Sequence, residues 1–415
     1  MNTAAPTVVD VAIVGGGLVG ASLALALADS DKRVALIEAV PIDSAAQPSF
    51  DDRTSALGNG SRRIFETLGV WPHLAAQAAA VREIRVSDAR RLGAARICAA
   101  EQGLEALGYV VSNRHLGAAL WKQLAAHPEL HIRCPARVRE VQVGAEAVQL
   151  AVDAPSRAAG TDPAPERVSA RLVVAADGAH SLVRAAAGID AAVEDYDQIA
   201  VVLHLRTDRP AVGVAYERFT GTGPLAVLPL VDGRYTVVWT LRPEKAQQLL
   251  ALGDVEFARE LQQSLGWRIG RVQQLGARAS YPLRLSRAAS LVGPRIVLVG
   301  NAAQALHPVA GQGFNLGLRD AALLAEIVAS APDPGASAVL ESFERRRHAD
   351  RRGMIGFTDG LVKLFAREGP VAAARTLGLL LFDVSPQAKR ALSRLSWGFG
   401  GDTPRLMRGL TVRAP

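Results

Sequence analysis

Residues 296–320 hold the pattern with the clearest chemical use, and they read IVLVGNAAQALHPVAGQGFNLGLRD. The apolar start predicts a strand, and the spacing of apolar residues from about Phe314 predicts an amphipathic helix. Gly311 and Gly313 let the backbone approach a flat, bulky group, and the start of a helix offers unpaired N–H groups and a partial positive charge. We therefore expect a group that becomes negative during its reaction to lie there. We interpret that group as the pyrimidine end of a flavin, with the N–H groups of residues 311–315 pointing at its N1–C2 carbonyl edge.

A nucleotide-binding pattern lies near the start of the sequence. Residues 8–14 predict a buried strand, residues 21–28 a helix and residues 33–37 a second strand. The glycines of the connecting turn and the acid that closes the second strand are Gly15, Gly17, Gly20 and Glu38. In such a unit the first glycine makes the tight turn, the second admits a pyrophosphate, the third lets helix and strand pack closely, and the acid takes a ribose hydroxyl. The unit predicts a dinucleotide site without distinguishing FAD from NAD.

A third candidate segment follows the predicted strand 171–175 and begins with Asp177 and Gly178. An Asp-Gly pair after a strand is most often a turn. Here the pair precedes a short predicted helix with Ser181 near its start and Arg184 one turn later. That layout also suits a second phosphate contact.

Two arginines are further candidate ligands. Asp52 and Arg53 are neighbours in the sequence, and they form a surface salt bridge or else leave Arg53 to contact phosphate or ribose. Arg114 opens a predicted helix over 114–126, behind the polar, cap-like Ser112.

The strands and helices predicted around these residues indicate the fold class. It is α/β, and it becomes α+β overall when the antiparallel strands are included. Strands predicted at 199–205, 214–219, 225–230 and 235–241 form a separate, largely antiparallel sheet. We expect a Rossmann-like FAD-binding domain with this sheet inserted as a substrate domain, followed by a helical C-terminal region. The predicted limits are 1–190 for the first part of the FAD-binding domain, with a small inserted β segment at about 80–112, then 191–288 for the substrate sheet, 289–350 for the return of the FAD-binding domain and 351–415 for the helical region. The substrate sheet should face the flavin around 214–219 and 225–229.

The amino-acid composition limits which classes of protein this chain can belong to. The 415 residues are 49% apolar, which predicts a packed protein rather than a disordered one. The net charge of +7 fits either a solvated basic surface or attraction to anionic cofactors or an anionic membrane surface. Nucleic acid is not an expected partner, because the basic residues are not interleaved with aromatic ones and no nucleic-acid motif occurs. Cys98 and Cys134 make neither a disulfide framework nor a metal pattern, which fits a reducing cytosol.

Neither a signal peptide nor a membrane-spanning helix is expected. Residues 1–9 lack a basic region and an apolar region, and glycines break the apolar run 11–28. The predicted location is cytoplasmic, with a peripheral position at the inner membrane as the alternative. The arginine-rich segment 341–352 fits a solvated helix face, and the apolar segment 377–382 fits either core packing or a patch that touches a membrane or a partner.

The three motifs, taken in this order, resemble those of the class A flavin-dependent aromatic hydroxylases, which have the para-hydroxybenzoate hydroxylase fold. The resemblance covers nearly the whole chain. Where that family usually has Asp, this sequence has Asn301 after Gly300. Asn301 can still bond a ribitol hydroxyl but lacks the charge near the pyrophosphate. The segments that resemble the subgroup hydroxylating 2-polyprenyl-6-methoxyphenol in ubiquinone biosynthesis are 300–304, 307–308, 310–317 and 52–57.

The resemblance implies an FAD-dependent monooxygenase. NAD(P)H reduces the FAD, O2 adds to the reduced flavin, and a flavin hydroperoxide hydroxylates a phenol ring, so the cofactor carries the hard chemistry. Pro308 shapes the loop beside the ring, and His307 is either a structural loop residue or a polar contact to the phenol. The full set of predicted cofactor contacts is Gly15, Gly17, Gly20, Glu38, Arg53, Arg114, Asp177, Gly178, Arg184, Gly300, Asn301, Pro308, Gly311, Gln312, Gly313, Phe314 and Asn315.

The implied substrate carries a polyprenyl tail, which at about 0.8 kcal/mol per buried CH2 does not readily leave a membrane or a lipid-binding partner. The expected partners are therefore the polyprenyl phenol, O2, and either a membrane surface or other ubiquinone-synthesis proteins. Two alternatives stay open. One is a flavin oxidoreductase of the same fold that acts on another phenol or polyprenyl substrate, and the other is an FAD-holding scaffold of a quinone-synthesis complex.

Overall fold

The computed structural model describes residues 6–44, 47–89, 94–153, 165–366, 382–396 and 402–412. Within them the strands are, in chain order, β1 (Thr7–Val14), β2 (Val34–Ile37), β3 (Thr54–Gly58), β4 (Ala79–Val81), β5 (Glu83–Asp88), β6 (Ala94–Cys98), β7 (Gly108–Ser112), β8 (His131–Arg133), β9 (Arg137–Val143), β10 (Val148–Asp153), β11 (Glu166–Ala175), β12 (Ala191–Thr207), β13 (Val214–Phe219), β14 (Pro224–Pro229), β15 (Tyr235–Leu241), β16 (Val272–Leu275), β17 (Ala279–Ala288), β18 (Val292–Gly293), β19 (Ile296–Leu298) and β20 (Gln304–Ala305). The helices are α1 (Leu18–Ala28), α2 (Asn59–Thr67), α3 (Trp71–Leu74), α4 (Asn113–Leu124), α5 (Leu182–Ala186), α6 (Pro243–Leu250), α7 (Asp254–Leu265), α8 (Gln312–Ser330), α9 (Ser337–Ala366) and α10 (Pro386–Ser396). Single turns of 3-10 helix include Gly300–Ala302 and Val309–Gly311.

The first sheet is mostly parallel and ends at the nucleotide-binding turn. Its strands lie in the order β18–β19–β11–β1–β2–β8, with β9 and β10 added antiparallel beside β11. Every side chain of β2 is buried, as expected for a strand covered on both faces. The strands β1, β2, β8, β11 and β19 are parallel, so their carboxyl ends meet at one edge. Residues 15–20, 177–184 and 300–301 follow three of these strands and therefore lie at the same edge.

The second sheet is antiparallel except for the pair β13–β5. Its order is β20–β17–β12–β15–β14–β13–β5–β6, with β16 beside β12. The helices α6 and α7 cover one face, where Val201 and Val237 of the sheet pack with Leu249 and Phe257. The predicted fold, a Rossmann-like sheet with an inserted and mostly antiparallel sheet, is confirmed. The domain limits stay predictions, and β5 and β6 pair with the inserted sheet rather than with the first.

A small antiparallel sheet, β3–β7–β4, connects the two larger ones. On one side, the carbonyl of Ala56 in β3 accepts a hydrogen bond from Nδ2 of Asn315 in α8 at 2.8 Å. On the other side, Val110 of β7 packs with Ala215 of β13. The small sheet therefore sets the spacing between the start of α8 and the inserted sheet.

Buried charged side chains join α8 to α9. Arg347 donates from Nε to Asp320 Oδ1 at 2.6 Å, and Arg319 donates from Nε to Asp350 Oδ2 at 3.0 Å. Arg347 is 0% exposed and Asp320 is 1% exposed. The interpretation of residues 341–352 as a solvated helix face is therefore wrong for Arg347, because its carboxylate partner belongs to a helix packed against it.

Of the apolar segment 377–382, only Phe382 belongs to the described residues. It packs beside Ile97 and Ala99 of the inserted sheet and the turn that follows. Across the described ranges, no helix combines the length and the apolar character needed to cross a bilayer.

Asp320→Ala should lower the free energy of unfolding by about 3–5 kcal/mol, because it removes one of the two carboxylates that face the buried guanidinium of Arg347. Glu341→Ala is a matched control that removes an exposed pair with Arg345 on the same helix and should cost about 0–1 kcal/mol. Urea unfolding measures both values. Equal costs for the two substitutions would contradict a buried ionic clamp between α8 and α9.

Candidate functional site

The turn after β1 contains glycines at positions where a side chain would collide with backbone. Gly15 has a φ of +104°, and a Cβ there would lie 2.4 Å from the carbonyl oxygen of Ala176. A Cβ on Gly20 would lie 1.9 Å from the carbonyl oxygen of Gly15. A Cβ on Gly17 would meet Oγ of Ser49 at 2.9 Å. The tight turn and the close helix–strand packing are therefore present. The turn leads directly into the N-terminus of α1, and a helix N-terminus is a suitable site for a phosphate.

Glu38 follows β2 and is 7% exposed. Its Oε2 accepts a hydrogen bond from the N–H of Gly16 at 2.6 Å, and its Oε1 accepts one from the N–H of Val40 at 2.8 Å. The carboxylate therefore fixes the glycine turn. Oε1 also accepts a hydrogen bond from Nε2 of Gln47 at 3.3 Å. Because a carboxylate oxygen can accept two hydrogen bonds, Oε2 is the atom with room for the predicted ribose hydroxyl, which stays a prediction.

Asp177 carries a buried oxygen without a partner. Its Oδ2 accepts a hydrogen bond from the N–H of Val183 at 3.3 Å, whereas its Oδ1 is buried and has no hydrogen-bond partner among the described residues. Burial raises the pKa of this carboxyl group. An unpaired buried acceptor costs about 1–3 kcal/mol. A hydroxyl group of a bound ligand would satisfy it.

Arg184 ties the Asp177 segment to the turn that contains Asn301. It donates from Nη1 to the carbonyl of Ala302 at 2.9 Å and from Nη2 to the carbonyl of Ala179 at 2.8 Å. Gly178 has a φ of +85° and makes the bend at the start of this segment. Asn301 is exposed at the edge of the sheet. The contact of Arg184 with a pyrophosphate or nicotinamide stays a prediction. Two of the three guanidinium nitrogens already donate to backbone carbonyls.

Gly300 brings β19, α1 and α8 into contact. It has a φ of +59°, and a Cβ there would lie 3.2 Å from the side chain of Val19 in α1. A Cβ on Gly317 of α8 would lie 3.1 Å from the Cα of Gly300. These close approaches hold the N-terminal part of α8 beside the N-terminal part of α1.

The start of α8 combines the N-terminus of a helix with open space. Gly311 precedes the helix with a φ of +61°, a left-handed conformation that glycine adopts without strain. A Cβ on Gly313 would meet no heavy atom within 4 Å. The first N–H groups of a helix have no intrahelical partner and carry the positive end of its dipole. These features suit a planar ring that carries negative charge.

Asn315 uses its side chain inside the protein and is 1% exposed. Its Oδ1 accepts hydrogen bonds from the N–H of Gly58 at 2.9 Å and from Oγ of Ser61 at 2.7 Å. Its Nδ2 donates to the carbonyls of Ala56 at 2.8 Å and Gly311 at 2.9 Å. The amide group therefore fastens the start of α8 to β3 and α2, and only the backbone of Asn315 remains for a cofactor.

The side chains on either side of Gly313 also serve the interior. Phe314 stacks on Phe65 with ring centroids 6.2 Å apart. Gln312 is 5% exposed. The predicted cofactor contacts of these two residues are therefore expected from their backbone rather than from their side chains.

His307 is 1% exposed and has both ring nitrogens engaged. Its Nδ1 accepts a hydrogen bond from the N–H of Val309 at 3.0 Å, so the ring proton is on Nε2, which lies 3.2 Å from Oε1 of Gln198. Burial lowers the pKa of His307 to about 4, which keeps the ring neutral at physiological pH. These contacts favour the structural alternative over the contact with a phenol. Pro308 is exposed and begins the turn before α8.

Arg53 and Arg114 each pair with an aspartate, but not in the predicted combination. Arg53 donates from Nε to Asp51 Oδ2 at 2.5 Å and lies over the ring of Tyr281 at 4.8 Å. Asp52 pairs instead with Arg114 Nε at 3.0 Å, and this hydrogen bond lowers the pKa of Asp52. Of the two alternatives for Arg53, the salt bridge with Asp52 is therefore wrong, because Asp51 is the partner of Arg53 and Arg114 is the partner of Asp52. Both arginines lie where β17 of the inserted sheet approaches the start of α4.

The inserted sheet meets the loop before α8 through β13. Phe219 packs with Val309 of that loop, and Ala215 packs with the small sheet. Between them, Glu217 has a buried Oε1 without a hydrogen-bond partner among the described residues. The sequence predicts that 214–219 faces the flavin, yet it does not single out Glu217, because a lone Glu in an alternating strand is typical of a solvent-facing position.

Taken together, these residues fit FAD. The glycine turn with the N-terminus of α1 would take the pyrophosphate. The unpaired oxygen of Asp177 would accept a hydroxyl group of the cofactor, and the start of α8 at Gly313 would receive the ring. In the part of the chain that the structure describes, no group of three His, Cys, Asp or Glu residues is arranged to hold a metal ion.

Gly313→Leu should leave the protein folded and weaken FAD binding by about tenfold or more, which is about 1.4 kcal/mol, because the side chain would occupy the open space at the start of α8. Gly353→Leu is a matched control, since Gly353 lies exposed in α9 and a Cβ there also meets nothing within 4 Å. Both substitutions should stabilise their helices by up to about 1 kcal/mol. Quenching of flavin fluorescence measures the affinity, and an unchanged value for Gly313→Leu would place the ring elsewhere.

Asp177→Asn should stabilise the FAD-free protein by about 0.5–2 kcal/mol near neutral pH and weaken FAD binding, because an amide oxygen is a poorer acceptor than a carboxylate. The raised pKa means that the wild-type protein loses stability as the pH rises and the buried carboxyl group ionises. The stabilisation should therefore be largest at neutral pH and disappear in acid, which thermal unfolding across that range measures. A pH-independent difference would contradict this assignment.

Comparison with known proteins supports the same cofactor and fold. A family model described as an FAD binding domain matches residues 8–358. The crystal structure of p-nitrophenol 4-monooxygenase PnpA from Pseudomonas putida matches with a TM-score of 0.78 over 95% of this chain and 99% of that chain. Its sequence identity is 19%, so this match supports the fold alone.

Two relatives match at higher identity over nearly their full length. Ubiquinone hydroxylase UbiL of Rhodospirillum rubrum is 38% identical, over 98% of this chain and 94% of that protein. The 3-demethoxyubiquinol 3-hydroxylase of Escherichia coli is 33% identical, over 94% of this chain and 98% of that protein. The chain therefore belongs to the FAD-binding domain family, in the group of flavin-dependent hydroxylases that contains the ubiquinone hydroxylases.

Proposed function

We propose that this chain is a monooxygenase that uses FAD, NAD(P)H and O2 to hydroxylate the ring of a polyprenylated methoxyphenol in ubiquinone biosynthesis. The observation that carries the proposal is the similarity, over nearly the full length of both chains, to two proteins named for hydroxylation of ubiquinone or its precursor. The glycine turn, the unpaired oxygen of Asp177 and the open start of α8 independently support the part of the proposal that concerns FAD binding.

Bound FAD would supply electron transfer from NAD(P)H and the activation of O2. The first task of the chain is to stabilise negative charge on the ring of the cofactor. The dipole of α8 contributes about 0.3–2 kcal/mol to this, and a direct backbone donor contributes about 3 kcal/mol. Asn315 makes these donors effective, because its four hydrogen bonds hold the start of the helix in place before any charge develops.

The second task of the chain is to exclude water from the reacting centre. Phe219, Val309 and Val362 are buried together, and Val86 and Tyr196 pack around them. These five residues come from the inserted sheet, the loop before α8 and the helix α9. The apolar cluster therefore forms only when the inserted sheet, the loop before α8 and the helix α9 are packed together.

The third task is to meet a substrate whose polyprenyl tail resists transfer to water. We include in the proposal a peripheral contact with a membrane surface or with another protein of ubiquinone synthesis that presents the tail. The net charge of +7 supports the membrane contact, because anionic lipids attract basic surfaces.

The purified protein, loaded with FAD and given NAD(P)H, isotope-labelled O2 and a short-tailed 2-prenyl-6-methoxyphenol, should oxidise NAD(P)H faster when the phenol is added. Mass spectrometry should find a single labelled oxygen atom on the ring of the product. Oxidation of NAD(P)H without labelled product would indicate a flavin oxidoreductase of another kind. A protein that binds FAD and turns over no phenol would indicate a scaffold.

A further inference from the structure

Glu217 lies on the face of β13 that is turned toward the cofactor loop. Side chains alternate between the two faces of a strand. Arg218 donates from Nε to the carbonyl of Ser264 in α7 at 2.8 Å, so Arg218 lies on the helix-covered face. Glu217 therefore lies on the opposite face together with Phe219, which packs with Val309 of the loop before α8.

Apolar residues flank Glu217 on both neighbouring strands. Ala226 of β14 pairs with Glu217 on one side, and Val86 of β5 pairs with it on the other. Val238 of β15 continues the row beyond Ala226, and both residues are partly accessible, which leaves space in front of the row. Glu217 is also partly accessible, while its Oε1 is buried and has no hydrogen-bond partner among the described residues. A carboxylate in an apolar wall that borders open space suits a ligand that donates a hydrogen.

The fold gains nothing from a carboxyl group at this position. Burial raises the pKa of Glu217 to about 7, and no neighbouring charge contributes to the shift. An apolar side chain would be more stable in such a place, because an isolated carboxylate loses its hydration without compensation. A ligand therefore explains the residue better than packing does. A base that titrates near the working pH is also the most effective one in proton transfer.

We propose that Glu217 is the base that takes the proton from the phenol hydroxyl of the substrate, an inference that rests on the proposed function. The phenol O–H bond breaks, the proton moves to the carboxylate of Glu217, and the electron pair left on the phenol oxygen enriches the ortho and para carbons of the ring. A ring carbon then forms a C–O bond to one oxygen atom of O2 and loses its own hydrogen to solvent as a proton. The O–O bond breaks, and the second oxygen atom leaves as water with the two electrons that NAD(P)H supplies. Glu217 returns its proton to the ring oxygen and is unchanged after one turnover.

Other titratable groups lie on the elements packed against the site. The titratable groups on the elements packed against it include Asp88 at the end of β5, Glu194, Tyr196 and His204 on β12, His307 in the loop, and Asp359 and Lys363 on α9. Burial lowers the pKa of His204. Burial lowers the pKa of His307 to about 4 and raises the pKa of Tyr196, so neither changes its charge at neutral pH. Lys363 pairs with Asp359 at 2.9 Å and with Glu194 at 3.2 Å. Among the groups whose pKa is shifted, Glu217 is therefore the one with a pKa of about 7.

Kinetics of Glu217→Gln in the FAD-loaded full chain test this role, with the short-tailed methoxyphenol as substrate. In the wild-type enzyme, kcat/KM for hydroxylated product should fall as the pH drops below about 7, because the carboxylate becomes protonated. The variant should bind FAD normally, lose about 100-fold or more in kcat/KM, and lack that pH limb. Glu217→Asp keeps a carboxylate, so it should recover part of the rate and the fall of kcat/KM at low pH. If the Gln variant loses FAD, Glu217→Asp is the variant to compare with the wild-type enzyme. Tyr216→Phe, on the opposite face of the same strand, should stay within about twofold.

A binding measurement separates failure of this proposal from failure of the proposed function. The probe is a nitro-substituted methoxyphenol whose phenolate absorbs visible light, titrated with pH while bound. The carboxylate of Glu217 disfavours a second negative charge beside it, so the probe should keep its proton to a higher pH in the wild-type protein than in Glu217→Gln. Identical titrations in both proteins, or turnover of Glu217→Gln within about twofold of wild type, overturn the proposal. A shifted titration together with no hydroxylated product from the wild-type enzyme would support Glu217 as the proton acceptor. The same result would contradict the proposed hydroxylation.

Discussion

Close approach of backbone to backbone at one edge of the parallel sheet is the constraint on which the rest of the structure depends. Gly20 meets Gly15 where α1 leaves β1, and Gly317 meets Gly300 where α8 crosses the end of β19. A side chain at either contact would push a helix away from the edge and separate the two helix starts. Glycine has a hydrogen atom in place of a Cβ atom. The N-termini of α1 and α8 can therefore lie close enough to bind the same ligand. The helix dipoles and free N–H groups used at the site follow from this packing.

Among the described residues, some buried polar groups build the frame, and others near the proposed site lack a hydrogen-bond partner. Asn315 makes four hydrogen bonds, and Asp320 is paired with Arg347 and with the amide of Gln304. Asp177 and Glu217, in contrast, each keep a buried oxygen without a partner among the described residues. The sequence cannot make this division, since the partners of Asn315 in β3 and α2 lie more than 250 residues away in the chain. A missing partner can be recognised only when every neighbour is in place.

The fold is predictable from sequence where the signal is local. The strands β13 and β15 have the bounds that alternation predicts, and α8 begins within two residues of the predicted start. The helices α6 and α7 are absent from the predicted elements, although each carries the apolar stripe of an amphipathic helix within a run of predicted strands. It does not predict β17 either, because Pro282 lies inside that strand and proline argues against a strand assignment. The burial of Arg347 within 341–352 depends on Asp320 in another helix. The sequence around Arg347 therefore does not predict it.

Hydrogen exchange of the FAD-free protein, with and without added FAD, tests most directly whether three distant segments bind one cofactor. The amides of residues 15–20, 177–184 and 311–315 should become slower together, with the same dependence on FAD concentration. Slower exchange confined to residues 15–20 would mean a simple dinucleotide site that leaves the other two segments unused, and it would contradict the convergence on which the proposed chemistry rests.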